Sequence, residues 1–151
     1  MKTMHRRSAF TLIEVLIVVV IMAILAATII PQFTDSTKDA KSSTVQFNLH
    51  TLRSQIQLYR TQHNGTAPSG TLAELLASTD ASGATGTGAN YPYGPYLRQI
   101  PTNPYSNSAS IKVITNDPAQ AGDVTGTGGW LYNTTSGSIF IDTTTSNLYQ
   151  K

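Results

Sequence analysis

The sequence contains no cysteine, so no disulfide framework, zinc–thiolate cluster or thiol nucleophile can be built from it. Charged residues make up only 12% of it, with one tryptophan and four phenylalanines. A chain so poor in charge is not held together by ion-pair networks, and its stability has to come from apolar packing. The excess of basic residues is also misleading. Of ten Lys and Arg, three (Lys2, Arg6 and Arg7) precede the first apolar run, which leaves seven against eight Asp and Glu in the rest. No basic face remains on which a nucleic acid could sit.

Catalytic patterns are missing as well. His5, His50 and His63 share no metal-ligand spacing, no serine lies in a nucleophile elbow, and no carboxylate pair suggests hydrolysis. Gly86 and Gly88 follow no strand and open no helix, so they do not form a dinucleotide fingerprint. An enzyme is therefore not expected. Asn64-Gly-Thr and Asn133-Thr-Thr fit the glycosylation sequon, a pattern frequent by chance.

What is present is an apolar run from Phe10 to Ile30, FTLIEVLIVVVIMAILAATII, with Glu14 as its single charge. At 1.5 Å per residue these roughly 21 residues make a helix of about 31 Å, the thickness of a bilayer's hydrocarbon core. The basic flank favours a cytoplasmic N-terminus and places everything after Pro31 across the membrane. A secretory signal cut near Ala26 and Ala27 would use a shorter apolar region. A simple bitopic anchor leaves Glu14 without a purpose, because a carboxylate in a membrane helix is costly. If the chain is cut between Ala9 and Phe10, the new ammonium of a neighbouring copy can neutralise Glu14 and set the axial register.

Arg6-Arg7-Ser8-Ala9-Phe10-Thr11-Leu12-Ile13-Glu14 followed by VLIVVVIMAILAA resembles the processing signal of type IV prepilins and type II secretion pseudopilins. The resemblance implies that a prepilin peptidase cuts between Ala9 and Phe10, where the family usually has glycine before the cut. It further implies that Phe10 becomes N-methylated, that Glu14 is the assembly glutamate, and that the apolar helix becomes a filament core. The partners so implied are other copies of the chain, other pseudopilins, the peptidase, and an inner-membrane platform driven by a cytoplasmic ATPase. The subunit would be anchored in the inner membrane with its C-terminal domain in the periplasm.

Pro31 lacks an N–H and should kink the helix. Beyond it Val45, Leu49, Leu52, Ile56 and Tyr59 recur at helical spacing as one apolar stripe, which should cover a sheet. Lys41, Gln46, Arg53, Gln57 and Arg60 lie off that stripe as a solvated or subunit-facing surface. Asn64-Gly65, with Pro68 beyond, should end the helix. A short helix over 71–77 and a flexible loop over 78–90 are expected next. A Tyr- and Pro-rich segment, 91–105, follows, its irregular backbone pinned by buried rings. Strands are expected at 111–115, 129–133 and 138–142, with 134–137 closing the last two into an antiparallel hairpin.

Gly94-Pro95-Tyr96-Leu97 with Ile100-Pro101-Thr102-Asn103-Pro104, and Gly128-Gly129-Trp130-Leu131-Tyr132 with Ser136-Gly137-Ser138-Ile139, are similar to stretches of the major, G-type pseudopilins. Some of those bind calcium in a loop before the hairpin, which makes Asp117 and Asp123 candidate ligands here; no other cofactor is expected. The resulting reading is an α+β chain. It has a leader at 1–9, a membrane and filament helix at 10–30, its amphipathic continuation at 31–63, and a domain at 64–151 with a small antiparallel sheet. As function it implies a pseudopilin of a type II secretion system, with a type IV pilin of a surface filament as the alternative. A membrane-anchored binding module that never polymerises is the third class, and it leaves Glu14 idle.

Overall fold

A computed structural model describes residues 10–145 and 148–150. The chain divides into two compact units, Met1–Ala40 and Lys41–Lys151. One α-helix, α1 (Leu12–Gln62), contributes to both. The helix runs from Leu12 to Gln62 with position 31 inside it, although a proline there contributes no N–H to the helical ladder.

In the first unit the apolar side chains of α1 have nothing to pack on. Leu12, Ile13, Leu16, Met22 and Ile24 are among many left more than half exposed. The segment is long and apolar enough to cross a membrane. Its Thr28 hydroxyl donates back to the Leu25 carbonyl at 3.0 Å, so even its polar group is satisfied internally. Lys38 and Asp35 form an exposed ion pair at 3.5 Å.

In the second unit the expected stripe of α1 is buried. Val45, Leu49, Leu52, Ile56 and Tyr59 are each at most 3% exposed and pack with Trp130, Tyr132, Ile139 and Ile141. Those four come from strands β4 (Trp130–Tyr132) and β5 (Ile139–Ile141), which pair antiparallel, Trp130 opposite Ile141 and Tyr132 opposite Ile139. The alternate residues Leu131 and Phe140 point to the other face and join Ile114, Ala119 and Tyr149 in a second, smaller core. Both faces of the hairpin are therefore covered.

Strand β3 (Ile111–Val113) pairs with β4 in parallel, so the three-stranded sheet is mixed where an antiparallel one was expected. The physical reason is the connection. Residues 114–129 are long enough for a crossover, and a residue pattern of period two carries no strand direction. Residues 78–90, expected as a flexible loop, hold a small antiparallel pair, β1 (Ser78–Thr79) with β2 (Thr85–Gly86). Its turn is ordered by Asp80, which accepts hydrogen bonds from the Ser82 amide at 2.8 Å and the Ala84 amide at 3.0 Å. The short helix expected over 71–77 is a single 3-10 turn, Ala73–Leu76.

The end of α1 follows from backbone chemistry. Asn64 and Gly65 both take positive φ, 54° and 82°, and the Gly65 amide closes on the Arg60 carbonyl at 2.8 Å. The Tyr- and Pro-rich segment is pinned as expected: Tyr96, Leu97, Ile100 and Tyr105 pack on the main core. The Trp130 indole N–H donates to the Pro101 carbonyl at 2.8 Å, and the Tyr132 hydroxyl to that of Pro68 at 2.9 Å. Two arginines of α1 expected on a solvated or subunit-facing surface are instead drawn to the hairpin. Arg53 donates to the Ile139 carbonyl at 3.1 Å and Arg60 to the Ser136 carbonyl at 2.8 Å.

Ile56 lies fully buried in the middle of the stripe. Ile56→Ala should lower the stability of the second unit by about 2–5 kcal/mol, read as the shift in chemical denaturation of the full chain in detergent.

Candidate functional site

The start of α1 is built as a capping box. Glu14 accepts hydrogen bonds from the Thr11 amide at 2.8 Å and the Thr11 hydroxyl at 2.7 Å, while its own amide donates to the Thr11 hydroxyl oxygen at 3.3 Å. Thr11-Leu12-Ile13-Glu14 has the spacing this motif needs, a hydroxyl residue at the cap and a glutamate three residues on. The carboxylate thus has an intramolecular partner within its own helix terminus, one that sequence reasoning about neighbouring copies overlooked. Phe10 is 84% exposed beside it. Ala9, the other side of the expected cleavage point, lies outside the described residues.

A second arrangement surrounds Asp142, whose side chain is completely buried. Its carboxylate accepts the amides of Thr125 at 2.7 Å, Gly126 at 2.8 Å and Gly128 at 3.0 Å, together with the Thr125 hydroxyl. Asn103, equally buried, donates to the carbonyls of Gly129 and Asp142, each at 3.1 Å. The approach is tight. A Cβ on Gly129 would lie 2.6 Å from the Ser108 carbonyl oxygen, so glycine is required there. One buried acceptor side chain with backbone donors therefore fixes the loop 125–129 that enters β4.

Asp117 is bound to the β4–β5 turn, and Asp123 to the segment just before it. Asp117 accepts the Ser138 hydroxyl at 2.7 Å, and the Ser136 and Ser138 hydroxyls hold its carboxyl below the usual carboxylate range. Asp123 accepts the Gln120 amide and the Asn116 side-chain amide, both at 2.9 Å. Those bonds, with the Lys112 charge, likewise depress it. The two carboxylates share no hydrogen-bond donor, and no group of three or more acidic or histidine side chains converges among the described residues. His63 is buried and stacked on Tyr59, its Nδ1–H given to the Tyr59 carbonyl at 2.7 Å, a packing role. Of the two sequons, Asn133 is 4% exposed and its side chain holds the hairpin turn through the Thr135 and Ser136 amides.

An α1 segment apolar on every side, a glutamate at its capped start, and a helix-covered hairpin domain define the pilin-like class of membrane-anchored subunits. The comparisons agree. Residues 4–30 match the prokaryotic N-terminal methylation motif, and residues 32–128 match the family described as type II secretion system (T2SS), protein G. The type II secretion system core protein G of Klebsiella pneumoniae is 30% identical over 121 residues, which cover 80% of this chain and 82% of that protein. That of Pseudomonas aeruginosa is 32% identical over 68% of this chain and 71% of its own length, and that of Vibrio cholerae 28% identical over 71% of each. No solved structure gives a significant match. The chain belongs to the type II secretion system protein G family and is a pseudopilin.

Removing the buried acceptor by Asp142→Ala leaves several amides unpaired, each costing about 1–3 kcal/mol, so a loss of at least about 2 kcal/mol is expected in denaturant unfolding. The lowered carboxyls of Asp117 and Asp123 stabilise the folded state above the ordinary carboxylate range of about pH 4, and that contribution is lost as pH falls through their depressed values. A plot of unfolding midpoint against pH should therefore decline on the acid side. The decline should be shallower in Asp117→Asn and Asp123→Asn.

Proposed function

We propose that the chain is a structural, non-catalytic subunit whose processing and polymerisation both act on the start of α1. A prepilin peptidase hydrolyses the Ala9–Phe10 amide, and Phe10 becomes the amino terminus and is N-methylated, which keeps its positive charge. Before assembly the segment 10–30 lies in the inner membrane, amino terminus towards the cytoplasm and the second unit in the periplasm. The observation that carries this reading is the run of apolar side chains from Leu12 to Ile29 left exposed, with Glu14 at its head. Such a surface has two favourable environments, lipid and other copies of the same helix.

Transfer between the two defines assembly. In lipid the capping box gives Glu14 two donors, and in the fibre the ammonium of a neighbour's Phe10 adds an opposite charge. Thr11 thus keeps the carboxylate partnered until a copy arrives, and the pairing then fixes the stagger between subunits. Pro31 cannot donate a hydrogen bond, and a kink there would adjust the second unit against its neighbours. The work comes from a cytoplasmic ATPase acting through an inner-membrane platform, and the growing fibre moves folded cargo outwards. Calcium has no step in this scheme. To bind Asp117 and Asp123 together it would have to replace their present serine and amide partners.

Mass spectrometry of the subunit recovered from membranes should give a chain starting at Phe10 with one added methyl group. An intact leader, or a start beyond Ile30, contradicts the processing step. In a strain lacking the gene, secretion should be restored by the wild-type chain and not by Glu14→Ala; normal secretion with Glu14→Ala removes the proposed pairing. Adding calcium in place of a chelator should leave the thermal unfolding midpoint of the detergent-solubilised chain unchanged. A clear rise would assign the metal a structural part.

A further inference from the structure

Lys112 is the only Lys or Arg between Arg98 and Lys151, a stretch that holds Asp117, Asp123 and Asp142. It lies in the middle of β3, opposite Leu131 of β4 in the parallel register. Side chains alternate along a strand, so Lys112 stands on the face opposite to Ile111, which packs on the main core. That is the face of the smaller core around Leu131. From there its ammonium donates to the Asp123 carbonyl at 2.5 Å.

The carbonyl it meets closes a 3-10 turn, Ala121–Asp123, in the connection from β3 to β4. At the start of this turn the Asp123 carboxylate accepts the Gln120 amide and the Asn116 side-chain amide. Those bonds, and after them the Lys112 charge, hold the carboxyl below the usual range. One cation therefore acts on both the carbonyl and the carboxylate of Asp123, the two kinds of oxygen by which a loop grips calcium. The remainder of the segment is tied without a metal as well. The Asn133 side-chain amide donates to the carbonyls of Thr115 at 3.0 Å and Asn116 at 3.3 Å, and the Ser138 hydroxyl to Asp117 at 2.7 Å. Calcium asks for about six to eight oxygens turned towards one point. The oxygens here are already met by N–H, O–H and ammonium donors, so the arrangement does not fit that ion.

We propose that the Lys112 ammonium is this chain's built-in cation, holding the segment 116–124 in place of the calcium ion expected of Asp117 and Asp123. An ammonium needs no closed shell of oxygens, and its aliphatic stem can lie along an apolar face while the charged head stays in water. Being covalently tethered, it is not removed by a chelator, whereas a metal-ordered loop is. The connection into β4 is thus ordered without a divalent ion. The inference goes beyond the filament reading and does not depend on it.

The test is hydrogen exchange of the full chain in detergent, followed by mass spectrometry of peptides from 116–124, with α1 peptides from 49–56 as the reference. The amides at issue are those of Asp123 and Val124, which close on the carbonyls of Gln120 at 3.0 Å and Ala121 at 3.4 Å. Lys112→Met keeps most of the stem and removes the charge. It should speed exchange in 116–124 by about tenfold and leave 49–56 unchanged. Lys112→Arg should exchange like the wild type, and the wild type should exchange alike in calcium and in chelator. Wild-type exchange in Lys112→Met overturns the proposal, because the charge then holds nothing. Slower wild-type exchange in calcium also overturns it and returns the role to the metal. So does loss of protection at 49–56 together with the segment, which makes Lys112 a support of the whole unit. None of these results bears on Phe10 or Glu14, so the filament reading stands or falls separately.

Discussion

The contact on which the second unit depends is the burial of one stripe of α1 under one face of a two-stranded hairpin. Five helix residues, Val45 to Tyr59, meet Trp130, Tyr132, Ile139 and Ile141, and all nine are nearly inaccessible to water. Without cysteines, and with no ion-pair network among its described residues, the apolar area removed from water here is the main favourable term available to this unit. The arginines that reach from α1 to the hairpin add direction to this contact. They hydrogen-bond carbonyls at the edge strand β5 and its turn, so helix and sheet are tied in register as well as packed.

The two ends of α1 use the same chemistry for opposite purposes. Towards the domain, apolar side chains at one helical spacing are buried within the chain, and the remaining face is polar enough to stay folded in water. Towards the start, apolar side chains surround the whole helix and are buried by nothing in the chain, which requires lipid or other copies. The capping box at Thr11 and Glu14 lets one carboxylate be present at that apolar end without being left unpartnered. A pseudopilin needs this combination, since the same helix has to be stable in a membrane before assembly and in a fibre after it.

Asp142 shows how a polar group can organise a loop that lacks apolar content. The segment from Thr125 to Gly129 has no side chain able to anchor it by burial, so it is held by amide donors converging on one carboxylate. Asn103 ties the same place to the Pro-rich segment. Asp80 does the same on a smaller scale for the β1–β2 turn, and its carboxyl is held below the usual range, the Ser82 hydroxyl contributing most. Both are absent from any reading by hydrophobic period, which is blind to single acceptors whose donors are backbone amides.

The sequence by itself determined the apolar membrane segment, the position of Glu14, the buried stripe of the continuing helix, the Asn64-Gly65 stop and the three strand centres. Each depends on short-range spacing or backbone preference, which a linear string records. The same string held the family resemblance on which the function was read. Only the tertiary structure decided that β3 runs parallel to β4, that residues 78–90 pair into strands, that Arg53 and Arg60 turn inward, and that Asp142 gathers the loop before β4. Those outcomes depend on partners many residues apart, and nothing in local spacing encodes which distant donor meets which acceptor.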